Sequence, residues 1–121
     1  MVQCFITPLL KKIPAAFYRT EAGTEPVRDW LKGLSREDRR EIGQDIATVE
    51  YGWPVGMPVC RSLGQGLWEV RSNLPGNRTA RAIFCIVQTH MVLLHGFVKK
   101  SQKTPDKDLV LARIRMKEIE Q

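Results

Sequence analysis

The chain has 121 residues and 43% hydrophobic content, enough for one domain with a real core and ordinary for a soluble globular protein. Lysine and arginine outnumber aspartate and glutamate by 19 to 13, a formal charge of +6, which points to a polyanion or an acidic protein as partner, or to no more than a basic surface. No run approaches the ~20 apolar residues of a membrane span, and Cys4, Cys60 and Cys85 are too scattered for a zinc site, which predicts reduced thiols in a cytoplasm.

Residues 1–14 read as a loose extension ahead of a single domain over 15–121. Their apolar patch precedes Lys11 and Lys12, the reverse of the order in a secretory signal. Residues 15–20 suit a short edge strand. Thr24 is then placed to cap a helix, with Pro26 in its first turn, where a missing N–H costs nothing. Val27, Trp30, Leu31 and Leu34 follow at the spacing of one helical face, which makes Trp30 a core residue, and Gly33 marks the end. Ser35 opens a second helix through a capping-box pattern with Asp38. Its apolar stripe is Ile42, Ile46 and Val49, and its other face carries Arg36, Arg39, Arg40, Glu41 and Asp45. On that face Glu37 with Glu41 and Glu41 with Asp45 are unfavourable one-turn pairs. The arginines crowd a first turn where the helix dipole disfavours them. Either an anionic partner meets them or the face is simply solvated. The near absence of a linker predicts an αα-hairpin.

Residues 51–58 hold two prolines and two glycines and read as a loop crossing to a sheet. Gly64-Gln65-Gly66 leads into a strand, whereas a phosphate loop leads into a helix. Three short segments then have strand composition: 67–71, 81–87 and 91–98. Turn residues 72–77 and the short link 88–90 join them, so antiparallel neighbours in a meander are expected. Cys85 falls inside the second strand as a small core residue. Thr104 and Pro105 open a last helix with Asp106 and Asp108 in its first turn, Arg113, Arg115 and Lys117 later, and Leu109, Ala112, Met116 and Ile119 as its apolar stripe. The expected fold is α+β: a small antiparallel meander packed against an N-terminal αα-hairpin and a C-terminal helix.

Strand alternation puts Trp68 and Val70 on one face and Leu67, Glu69 and Arg71 on the other. A hairpin centred on Gly76 sets Arg71 opposite Arg81 and Trp68 opposite Phe84; a one-residue slip would reverse the faces. Two like charges in register repel, so the pairing implies an anion or a carboxylate between them. Lys99, Lys100 and Lys103 leave the third strand at the same end. The cluster is either a phosphate-binding surface or a solvated edge guarded by lysines. His95 has the reference pKa for proton transfer, but its apolar strand also suits a buried structural histidine.

Residues 66–71 (Gly-Leu-Trp-Glu-Val-Arg), Arg81 with Ile83-Phe84, residues 93–100 (Leu-Leu-His-Gly-Phe-Val-Lys-Lys), Lys103-Thr104-Pro105, and Ala112-Arg113 together resemble the RelE/ParE toxin superfamily. The branch most resembled is the HigB-type, phage-derived host-inhibition proteins, over roughly residues 15–119. The resemblance implies a RelE-like fold and a toxin of a type II toxin–antitoxin system that cuts messenger RNA on the ribosome. A 2′-hydroxyl would attack the adjacent phosphate without metal or other cofactor. Arg71 and Arg81 are then the phosphate clamp, Lys99 and His95 catalytic partners, and Lys100, Lys103, Arg39 and Arg40 RNA-binding residues. A cognate antitoxin, acidic or helix-turn-helix and encoded by a neighbouring gene, is the implied protein partner. The chain departs from relatives with a tyrosine near the C-terminus, since it has only Tyr18 and Tyr51. Two alternatives stay open: a ParE-type inhibitor of DNA gyrase, and a non-catalytic phage-derived nucleic-acid-binding protein.

Overall fold

A computed structural model describes residues 10–99 and 103–120. Eight elements follow in order: β1 (Ala15–Phe17), α1 (Pro26–Lys32), α2 (Arg36–Gly52), β2 (Cys60–Gly64), β3 (Leu67–Leu74), β4 (Arg78–Val87), β5 (His90–Lys99) and α3 (Asp106–Glu120). The strands form one sheet in the order β1-β5-β4-β3-β2. The β3-β4-β5 meander is present, but the sheet is mixed and has five strands rather than being a small antiparallel meander. β2 adds an antiparallel hairpin to β3, and β1 pairs in parallel with β5. A short link sets the relative direction only of strands adjacent in sequence. β1 and β5 are separated by most of the chain, so nothing local set their direction.

Apolar residues divide between the two faces. On one, Val27 of α1 and Ile42, Ile46 and Val49 of α2 are buried with Val70, Ala82, Phe84 and Leu93 of the sheet. Trp53 meets Trp68 and Phe84 edge-on, with centroids 4.8 and 5.9 Å apart. On the other, Ala112 and Met116 of α3 cover Leu67, Ile83, Cys85 and Leu94. The expected αα-hairpin is thus looser than anticipated: α1 packs on β5 and β1, α2 on β3, and both face the sheet more than each other.

Caps follow local chemistry only in part. Ser35 accepts a hydrogen bond from the Asp38 N–H at 3.1 Å, as the capping pattern requires. Thr24 does not cap α1; Glu25 holds that position, and the Thr24 hydroxyl pairs with that of Thr20 at 2.7 Å. Residues 1–9 of the expected extension lie outside the described residues. Residues 11–14 are tied down: the amides of Lys12 and Ile13 donate to the Glu50 carbonyl, and Ile13 is buried.

The hairpin register is the one a Gly76-centred turn dictates. Arg71 pairs with Arg81, and Trp68 with Phe84. Gly76 has φ +78° and Asn77 φ +59°, the left-handed turn conformation that these residue types tolerate. Between β4 and β5 the pairing shifts: Ile83 faces His95 while Phe84 faces Leu93, so Leu94 is bulged. An extra residue reverses the alternation beyond it. Leu94 and His95 therefore both point to the α3 side of the sheet.

Candidate nucleic-acid interface

The α3 side of the sheet carries polar rows as well as apolar ones. Arg61, Glu69, Ile83 and His95 form one cross-strand row, and Arg71, Arg81 and Phe97 the next. Thr79 and Lys99 pair in the row beyond.

Glu69 is the carboxylate that the facing arginines imply. It is fully buried, with Oε2 2.8 Å from Arg61 Nη2 and 3.9 Å from Arg71 Nε. Its Oε1 accepts from the Thr104 hydroxyl at 2.8 Å. Thr104 in turn accepts from Arg81 Nη1 at 3.1 Å and Arg61 Nη2 at 3.2 Å. A hydroxyl has one proton and two lone pairs, so these three bonds saturate it. Thr104 is committed to the sheet network instead of capping α3 as its sequence position suggests. The approach to α3 is thereby docked on the sheet. Burial lowers the affinity of Arg81 for its proton, and the Glu69 charge opposes that shift. Three guanidiniums around one carboxylate leave this group net positive.

In the first turn of α3, Asp108 is buried with Oδ1 2.6 Å from His95 Nε2. The His95 ring is partly exposed and stacks on Phe97, with centroids 5.5 Å apart at 27°. Arg115 donates to the carbonyl of bulged Leu94 at 2.7 Å, and the Tyr18 hydroxyl binds Glu118. That bond, more than burial, raises the Tyr18 pKa. The bulge, α3 and β1 are thus joined by polar contacts.

The residues singled out from sequence separate into groups. Arg71, His95 and Lys99 are partly exposed on one side of the sheet, beside Phe97. Arg81 lies in the same row but is wholly buried. Lys103 is exposed just ahead of α3, and Lys100 lies outside the described residues. Arg39 and Arg40 are exposed on α2, which packs on the opposite face of the sheet. Sequence reasoning missed Asp108, Thr104 and Phe97 as parts of the cluster. Acidic residues in a first helical turn and an aromatic in a strand each have an ordinary local explanation. Cys60 and Cys85 are both buried, and burial, aided by Glu69, pushes the Cys60 thiol up to about 11. Neither suits a nucleophile. Among the described residues, no group of three His, Cys, Asp or Glu is placed to hold a metal. No described helix is long and apolar enough to cross a membrane.

The family model for phage-derived Gp49-like proteins matches residues 29–117, from within α1 to near the end of α3. The chain belongs to the phage-derived Gp49-like family. That family is a member of the RelE/ParE-like toxin superfamily. The match spans α2, all of β2 to β5 and the polar network, so the whole cluster of this Gp49-like chain lies inside the family region. No curated protein matches the chain.

Proposed function

We propose that this Gp49-like protein is a HigB-type toxin that arrests translation by cutting messenger RNA on the ribosome. The observation that carries the reading is the partly exposed face of Arg71, Phe97 and Lys99 beside a histidine held by a buried carboxylate. Cations and an aromatic on one face suit a single strand, whose phosphates need charge and whose bases need a stacking surface.

Each group has a part in attack of a 2′-hydroxyl on the adjacent phosphate. The His95 Nε2–H donates to Asp108, which leaves Nδ1 as the basic nitrogen able to take the hydroxyl proton. The Asp108 carboxylate stabilises the imidazolium that forms. Arg71 and Lys99 stabilise the charge on the pentavalent phosphate; the P–O5′ bond then breaks to leave a 2′,3′-cyclic phosphate, and Lys99 gives a proton to the departing 5′-oxygen. Arg81 acts from inside the fold as a positioning residue, through Thr104 and Glu69. Lys103 extends the basic track along the RNA, and Lys100 is a further RNA-binding residue of this reading. A neighbouring-gene antitoxin is the protein partner of such a toxin.

The test is induction of the protein alone in a bacterial cell, with translation and messenger 5′-ends followed over minutes. Rapid arrest with new cuts confined to translated frames, lost in Arg71→Ala with His95→Gln, is the expected result. Arrest without cuts would move the reading to gyrase, and no arrest in a host lacking an antitoxin would move it to a non-catalytic nucleic-acid-binding protein.

A further inference from the structure

Beyond the start of β2, β3 is flanked by an open cleft of about 370 Å³, lined by Glu41 and Asp45 of α2, Arg71 and Asn73 of β3, and the loop from Met57 to Val59. That volume falls within the ~300–1,000 Å³ of small-molecule sites. Two features of its lining need an account. Glu41 and Asp45 stand one helical turn apart, where like charges repel. They also turn acceptors toward a cleft that shares Arg71 with the basic face. Carboxylates repel phosphate, so a polyanion following that face does not place its backbone here. A base edge, in contrast, is neutral and rich in donors.

We propose that the cleft receives a guanine base of the RNA that the basic face holds. This rests on the RNA-cleaving reading above and names the base selected at that site. The cleft offers donors from Arg71 and Asn73 and acceptors from Glu41 and Asp45. The Watson–Crick edge of guanine offers one acceptor, O6, beside two donors, N1–H and N2–H₂. Adenine lacks the adjacent donors, cytosine has a single donor group, and uracil has one donor between two acceptors. Guanine alone therefore lets both carboxylates accept while the Arg71 or Asn73 donors meet a carbonyl. Met57, Pro58 and Val59 give the base an apolar wall.

The test is titration of the isotope-labelled full chain with guanosine, adenosine, cytidine and uridine 5′-monophosphates, read at the backbone amides of Glu41, Asp45 and Asn73. All four carry the same phosphate, so differences report the base. The guanosine nucleotide should bind about tenfold more tightly than the uridine nucleotide, the scale of one good bidentate base contact. Glu41→Gln with Asp45→Asn should remove that preference, and Asn73→Ala should weaken it. Equal binding of all four, or no perturbation at these amides, overturns the proposal, and the wild-type titration decides this whether or not the variants fold. A guanine-selective cleft in a protein that makes no cuts in cells would sink the ribonuclease reading alone. Cuts by a protein with an unselective cleft would sink only this one.

Discussion

Arg78, the first residue of β4, donates two hydrogen bonds to Asp38 in the first turns of α2, 2.9 Å to Oδ2 and 3.2 Å to Oδ1. These bonds hold the Asp38 carboxyl below its ordinary value, against a smaller upward push from burial. The folded chain then binds that proton more weakly than the unfolded chain. The pair stabilises the fold above about pH 4, the ordinary aspartate range, and the contribution is lost as pH falls through the depressed folded-state value. Denaturation midpoints should place wild type above Asp38→Asn at pH 7, and the two curves should converge in acid. Arg81 presents the contrasting case, a wholly buried cation. Arg81→Met leaves Glu69 and Thr104 buried with one donor fewer, a change expected to cost about 3–5 kcal/mol in denaturant unfolding. Adding Glu69→Gln should deepen that loss, because Arg61 and Arg71 then keep no carboxylate between them.

Between elements, α1 lies close against β5 at Gly96. A Cβ built on Gly96 would lie 2.3 Å from the Trp30 ring, so the glycine is what lets the indole lie flat on the strand. Gly96→Ala should destabilise by about 1–3 kcal/mol, the range of overpacked cores. Trp30→Leu in the same chain should recover part of it, as a double-mutant cycle of melting curves would show. Sequence patterning made the helices, the central hairpin register and the two sheet faces legible, because each depends on local periodicity or on a single turn. It did not reveal β2, whose five residues alternate weakly and which pairs through glycines that read as a flexible lead-in. Nor did it reveal the bulge at Leu94, which moves His95 to the α3 side without any local marker. The partners of Glu69 and His95 lie 35 and 13 residues away, just ahead of and within a helix whose placement only packing determines. That placement depends on Thr104. Thr104→Val removes its three bonds and should impair both stability and the His95–Asp108 contact. Thr104→Ser should restore both, with denaturation midpoints and the His95 ring resonances in NMR as the readouts.

Across the whole molecule, a charge of +6 says that anions are attracted but not where they land. The fold separates two basic surfaces, one formed by Arg71 and Lys99 beside Phe97, the other by Arg39 and Arg40 on the far side of the sheet. Binding to a single strand releases counterions in proportion to the phosphates neutralised, with a log–log salt slope near −0.7 per contact. If the RNA follows the β3–β5 face, Arg71→Ala should weaken binding of an unstructured RNA and flatten its slope by about 0.7. Lys99→Ala should act similarly. Arg39→Ala with Arg40→Ala should change neither affinity nor slope, since neither arginine lines the cleft through which the strand meets α2. Fluorescence anisotropy across a salt series distinguishes these outcomes. A slope flattened about equally by changes on both surfaces would mean that the RNA wraps the molecule, and the polar row beside His95 would then not be its main track.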